Sequence, residues 1–328
     1  MQDGLVLGIG NALTDILVPA TDGQLQALGL PKGSMQLVDA ARNAWVLGQV
    51  RPTRRVAGGC AANTITGLGR LGLPTAFIGK IGRDETGEFF AQNLRQDGVE
   101  PRLLRSEGSP SGTAVAFITP DSERTFSTHL GAAVELGAAE LSPALFAGAR
   151  HFHIEGYLVQ NHALIEAAID RAQAAGATVS IDLASYNVVL ENLEFLRRLV
   201  AKGMAVVFAN EEEARAFTGA RDDQAALEAL ADACQTAVVK LGKRGSLVAH
   251  GRERARVACQ PVSRVVDTTG AGDLYATGFL YGWLTGRSLE ECAALGGQVA
   301  AEVIQVMGAR LDEATWARIR RACPGEPG

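Results

Sequence analysis

The stretch Asp267-Thr-Thr-Gly270-Ala-Gly272-Asp273 sets an amide-rich turn and a carboxylate against the start of a long apolar segment. Val262 to Val266 reads as an extended run leading in, and Leu274 to Leu284 is apolar enough for a buried helix. The glycines between them permit a turn that bulkier residues obstruct. Backbone N–H groups at a helix N-terminus carry partial positive charge and point at an anion, so Gly270, Ala271 and Gly272 could hold a transferring phosphoryl group without a lysine. Asp273 then stands where a general base belongs. A plainer reading competes: Asp at a helix start is a common cap, and Gly-x-Gly turns occur in many folds.

Other segments carry chemistry of the same kind. Gly58-Gly59-Cys-Ala-Ala-Asn63-Thr64 precedes a small-residue helix expected over 61–71, closed by Gly72 and followed by Pro74. Leu5 to Gly10 reads as a buried first strand ending in Asn11-Ala-Leu-Thr-Asp15, which puts a short carboxylate within reach of a ligand in the crevice of an α/β sheet. Gly8-Ile-Gly10 does not complete a dinucleotide fingerprint, since its third glycine would be Leu13. Met204 to Phe208 is a strand running into Asn210-Glu-Glu-Glu213, a capping box by its spacing. Ala237 to Val239 leads to Lys240-Leu-Gly242-Lys-Arg-Gly245, a glycine-rich hairpin turn before Ser246 to His250.

Taken in this order, Gly58-Gly59 with Asn63, Asn210 with Glu213, and Asp-Thr-Thr-Gly-Ala-Gly-Asp resemble the signatures of the ribokinase, or PfkB, family of kinases, which includes adenosine kinases. The resemblance implies an ATP-dependent transfer of the γ-phosphoryl group to a primary hydroxyl, with Asp273 as base and the Gly270–Asp273 amides as anion hole. It gives Asp15, Asn11, Gly58, Gly59 and Asn63 to the acceptor and makes the glycine pair a hinge. It implies that Asn210 and Glu213 organise water around a nucleotide-bound Mg2+, and that the loop from Lys240 through Gly242 and Gly245 lies over the nucleotide. Lys240 departs from the family's threonine there. Asp267 and Thr269 match the positions that hold a monovalent cation in many relatives, with the Gly308 loop nearby, which leaves K+ activation open.

The elements that must position these residues alternate. Strand-like runs at 4–10, 75–81, 151–154, 178–184, 204–209 and 236–241 are interleaved with helical runs at 61–71, 86–97, 161–175, 211–218, 224–234 and 288–306. Alternation of this kind predicts an α/β fold, a mostly parallel sheet covered by helices on both faces. Its three-layer α/β/α, ribokinase-like form follows from the resemblance. Ser288 with Glu291 predicts a capping box. Extra strands at 14–18, 35–38, 112–119 and 124–130, the last two joined by a Pro120–Glu123 turn, suggest a small β-sheet. Members of the family close such a lid over the acceptor, so the chain is expected to be one catalytic unit over 1–328, with a lid from about 13–39 and 112–130. An exposed face on that sheet would favour a homodimer.

Composition narrows the partners. Among 328 residues, 47% are hydrophobic and 5% aromatic, which supports a large aliphatic core. A net charge of −5 argues against a nucleic-acid polymer. No apolar run approaches membrane-spanning length, and Asp3 and Asp15 do not suit a signal peptide. The cysteines at 60, 234, 259, 292 and 323 are scattered, which suggests a reducing cytoplasm. His151 and His153 share a strand face without zinc-spaced partners. P-loop and Gly-x-Ser-x-Gly patterns are absent, and the Pro324–Gly328 tail reads as disordered. The Asn11–Asp15 opening and Thr128–Ala133 resemble the adenosine-kinase-like members, so a nucleoside is the expected acceptor. Tyr157 then falls where such kinases stack an aromatic on the base, and Phe126 and His129 lie on the lid. A sugar kinase acting on ribose, fructose or a keto-deoxy acid, or a silent nucleotide or sugar sensor, are the alternatives.

Overall fold

The computed structural model describes residues 4–121 and 123–322; Asp3, Ser122, Cys323 and the Pro324–Gly328 tail lie outside them. Nine strands form the large sheet: β1 (Leu5–Ile9), β5 (Thr75–Ile81), β6 (Val99–Arg105), β9 (Ala149–Glu155), β10 (Thr178–Asp182), β11 (Val206–Asn210), β12 (Thr236–Lys240), β13 (Ser246–His250) and β14 (Glu253–Val257). Their spatial order is β14-β13-β12-β11-β10-β9-β1-β5-β6. From β12 to β6 every pairing is parallel, and β13 and β14 add an antiparallel edge.

Strands covered on both faces have apolar side chains at successive positions, because each face needs its own core. Along β11, Val206 and Phe208 face one core and Val207 the other. The first core is shared with α3 (Cys60–Arg70), α4 (Glu85–Gln96), α10 (Ala271–Leu284) and α11 (Leu289–Val303). The second is shared with α5 (His162–Ala174), α6 (Tyr186–Glu191), α7 (Leu193–Ala201), α8 (Glu211–Thr218) and α9 (Asp223–Ala231). This is the three-layer arrangement expected, and α12 (Glu313–Ala322) packs Trp316 and Ile319 against Leu274 and Leu295.

A second sheet of five strands has the order β3-β8-β7-β2-β4, from β2 (Leu13–Pro19), β3 (Met35–Leu37), β4 (Arg54–Gly58), β7 (Gly112–Ile118) and β8 (Arg124–His129). Residues opposite one another in register share a face. Ile16, Val18, Val115 and Phe117 point outward and are buried with Leu25, Leu28 and Val46 near α1 (Asp22–Ala27) and on α2 (Ala40–Gln49). This outer face is covered by the chain's own helices, and the exposed Met35 and Leu37 lie on the other face of the sheet.

One expectation fails between β14 and α10. Val262–Val266 is not a strand: Val265 is exposed, and the amides of Val266 and Asp267 donate to the Ile304 carbonyl at the end of α11, at 2.8 and 3.2 Å. The valines follow a helix terminus rather than a sheet edge.

Arg310 ties the small sheet to the end of α4. Its Nε and Nη2 donate to the Ala57 carbonyl on β4 at 3.2 and 2.7 Å, and its guanidinium pairs with Asp97. Both partners of the pair are nearly inaccessible, so removing the cation leaves a buried carboxylate short of a partner. Arg310→Met should lower the unfolding free energy in urea by about 3 kcal/mol.

Candidate active site

The polar residues singled out in the sequence gather at the C-terminal ends of adjacent parallel strands, where open α/β sheets bind ligands. Lys240, Asn210, Asp182 and Glu155 end β12, β11, β10 and β9, and Asn11 follows β1. The chain reverses direction of travel through the sheet between β1 and β9. There Glu155 is a buried pin: Oε1 accepts from Asn11 Nδ2 at 2.6 Å and from Asn11 N at 3.3 Å, and Oε2 accepts from Ala61 N at 3.2 Å. It fixes the β1 loop to the first turn of α3.

The glycine pair exists for close approach. A Cβ on Gly58 would lie 2.3 Å from the Asp15 carboxyl group, and one on Gly59, whose φ is 94°, would lie 2.3 Å from the Asn11 carbonyl oxygen. Asp15 therefore sits directly over the chain that enters α3. Burial raises its carboxyl pKa to about 7, against the opposing pull of Arg310 and Arg124.

Asp273 lies in the first turn of α10. Its Oδ2 accepts from Asn63 Nδ2 at 2.9 Å, and its carbonyl accepts from Thr64 Oγ1 at 3.1 Å, so α3 holds α10 in place at this point. Burial pushes the Asp273 carboxyl to about 7, opposed by the Asn63 hydrogen bond. Gly270 caps the helix with φ 74°, in the left-handed region, and a Cβ there would meet Ala309 at 2.5 Å. Ala271 N donates to the Thr268 carbonyl at 3.2 Å, whereas the amides of Gly270, Gly272 and Asp273 have no partner among the described residues. Asn11 Oδ1 and Asn63 Oδ1 are buried and have no partner among the described residues. Buried polar atoms are normally satisfied, so these vacancies suit a polyhydroxyl ligand.

On the other side of Asp273 a cavity of about 690 Å³ runs between α11, the loop after β14 and the β12–β13 turn. Ala293, Gly297, Ala301 and Val262 supply an apolar slot, and Lys240, Gly242 and Gly245 line its mouth. The β12–β13 segment is the expected hairpin turn, and Gly245 is required at φ 87° because a Cβ would meet the Val257 carbonyl oxygen. Lys240 Nζ donates to Asp182 Oδ2 at 2.6 Å and would be 3.1 Å from a Cβ on Gly272, which puts a buried ammonium beside the α10 N-terminus. Asn210 and Glu213 form the capping box: Asn210 N and Nδ2 donate to Glu213 Oε2 and Oε1 at 2.8 and 2.7 Å. Burial raises the Glu213 carboxyl to about 7.

Five of the residues singled out in the sequence stand apart from this line. Tyr157 is 38% exposed, and Gly156 rather than its ring lines the cavity. Its neighbours are Ser185, Cys60, Glu155 and Glu213. Asp267 and Thr269 are engaged by Arg124 of β8, whose Nη1 donates to Thr269 Oγ1 at 2.5 Å and whose Nη2 binds Asp267. His151 and His153 both meet Ser180, at 2.8 and 2.9 Å, as core residues on one strand face.

Glu155, Asp182, Arg124 and Arg310 escape the sequence reading. Glu155 and Asp182 end parallel strands, a position that could have flagged them. Arg124 and Arg310 meet partners 143 and 253 residues away, with no local signal.

A carboxylate poised on free helix amides, next to a cavity with a glycine-rich mouth, is the equipment of a phosphotransferase acting on a hydroxyl group. The family model described as pfkB family carbohydrate kinase matches residues 34–316, and the chain belongs to that family. A probable sugar kinase from Rhizobium etli superposes with a TM-score of 0.88 at 34% identity, covering 98% of this chain and 99% of its own. The adenosine kinase of Sinorhizobium meliloti gives 0.86 at 38% identity over 96% and 99%. An uncharacterized sugar kinase of Archaeoglobus fulgidus is 31% identical over 252 residues, 74% of this chain and 96% of that protein. The chain is thus a sugar or nucleoside kinase, and family membership implies ATP with a divalent metal as donor.

Proposed function

We propose that the acceptor is a nucleoside, phosphorylated on its primary hydroxyl. The observation that carries this reading is the inward face of the small sheet. Register places Asp15, Ala114 and Thr128 in one row, extended by Leu37, and Leu17, Ala116, Phe126 and Met35 in the next. One carboxylate thus lies beside an apolar platform on which Met35 and Leu37 are 57% and 63% exposed. A free sugar has polar groups all round, whereas a nucleoside has a diol for Asp15 and a flat base for the platform. Tyr157, 38% exposed and close to Cys60, offers a second aromatic surface. The similarity to an adenosine kinase at 38% identity supports the same reading.

In the proposed reaction the acceptor's secondary hydroxyls bind Asp15, Asn11 and Asn63 beneath the Gly58-Gly59 hinge. The small sheet acts as the lid. Asp273 takes the proton of the primary hydroxyl as that oxygen attacks the γ-phosphorus, and ADP leaves. The amides of Gly270, Gly272 and Asp273 stabilise the transferring charge, and Ala271 completes the turn. Lys240 adds a positive charge where the family has a threonine, and Gly242 and Gly245 let the backbone close over the nucleotide. Among the described residues no three His, Cys, Asp or Glu side chains converge as a metal cage, and both Glu213 oxygens are occupied by Asn210. That donor set fits Mg2+ held through water and phosphate oxygens, where it would neutralise phosphate charge. The four described cysteines are free thiols, which supports a reducing, cytoplasmic setting.

ADP release from ATP and Mg2+ should be measured against a panel of nucleosides and sugars. Turnover confined to nucleosides is the expected result. Turnover only with sugars overturns the acceptor, and none with any acceptor leaves a sensor.

A further inference from the structure

The position that many relatives give to a monovalent cation is filled here by the protein itself. Asp267 Oδ1 accepts from Thr269 N at 2.9 Å, and Oδ2 accepts from Gly308 N at 2.5 Å and from the Arg124 guanidinium. Thr269 Oγ1 takes the other end of the same fork. The side chains of Arg124 and Asp267 are only 12% and 3% exposed. Both carboxylate oxygens already have donors, so a K+ ion does not fit at Asp267 and Thr269 while Arg124 is present.

We infer that the Arg124 guanidinium is a built-in substitute for that cation. It carries the same single positive charge to the same two residues, immediately before the anion-binding turn at Gly270. A planar fork with several donors matches a carboxylate and a hydroxyl together, which a spherical ion does without direction. The source of the charge also differs. A free ion comes from solution, whereas Arg124 starts β8 and rides on the small sheet, next in register to Ile118 and on the same face as Phe126. The charge therefore reaches the Asp267–Gly270 turn only when the small sheet lies against the large one. Acceptor enclosure and completion of the anion hole become a single event. The assignment rests on the kinase reading but not on the identity of the acceptor.

Wild-type turnover should be the same in potassium, sodium and tetramethylammonium buffers. Arg124→Ala should lose at least about 10-fold in kcat in tetramethylammonium and recover much of it when K+ or guanidinium is added at low concentration. The same additions should raise the Tm of Arg124→Ala and leave the wild type unmoved, because only the variant has a vacant site to bind them. This thermal readout needs no acceptor, so it stands if the nucleoside assignment fails. Asp267→Asn added to Arg124→Ala should abolish both responses. Arg124→Lys, which keeps a charge without the fork, should remain cation-independent with reduced turnover, and it serves if the alanine variant does not fold. Strong K+ activation of the wild type would overturn the inference. So would an Arg124→Ala enzyme that loses activity, raises its KM for ATP and answers to no cation, since Arg124 would then act on the nucleotide alone.

Discussion

Asp273→Asn should reduce kcat by about 10³-fold while leaving the affinity for ATP nearly unchanged. Asparagine keeps the shape and can still accept from Asn63 Nδ2, so the loss isolates the proton-accepting role. The same substitution should make the resting protein more stable at pH 8. The Asp273 carboxyl is raised from 3.8 to about 7, so between pH 4 and 7 the folded state holds a proton that the unfolded chain has released. Native stability from this group is therefore present at low pH and is lost as pH rises towards 7. Asparagine carries no such penalty, and its Tm advantage should be greatest above pH 7 and vanish near pH 4. Melts across that range, with isothermal titration of ATP, check both halves. Activity retained within a factor of a few would remove Asp273 as the base.

Asp15→Asn should cost the acceptor rather than the nucleotide. Hydrogen bonds to a charged group are worth about 1.5–3 kcal/mol each, so losing the charge at a diol predicts about a 10²-fold fall in kcat/KM for the acceptor, mostly in KM. Because the free carboxyl titrates near 7, wild-type acceptor affinity should weaken as pH falls below 7 and the group gains its proton, while Asp15→Asn shows a flat profile. Steady-state kinetics at fixed saturating ATP distinguish this from a nucleotide effect. A changed KM for ATP with an unchanged one for the acceptor would place Asp15 elsewhere.

The parallel sheet and its covering helices are legible because strands buried on both faces need continuous apolar runs, and Val206–Phe208 or Ala237–Val239 can be little else. The motif residues are legible for a related reason: glycines with Asn or Asp beside them mark places where backbone must approach a ligand. What stays hidden is set by partners distant in the chain. β4 begins Arg54-Arg55, which looks like surface loop until Leu13–Leu17 pairs with it. β6 carries Pro101 and two arginines, permissible only because it is the edge of the sheet. Asn210 with Glu213 is legible as a cap, and the structure shows that cap in full, but a cap alone says nothing of the metal. Arg124 beside Asp267 and Thr269 stays hidden because no pattern within β8 announces which carboxylate it will meet.

The two-residue alternation of the small sheet has an evolutionary consequence. Ile16, Val115 and Phe117 keep the outer core intact, while their immediate neighbours Asp15, Ala114 and Ala116 lie on the inner face proposed to meet the acceptor. An inward residue can therefore be exchanged in a lineage without displacing the outer core and without touching the residues at the C-terminal ends of the large sheet's strands. Chemistry and taste are inherited on separate surfaces.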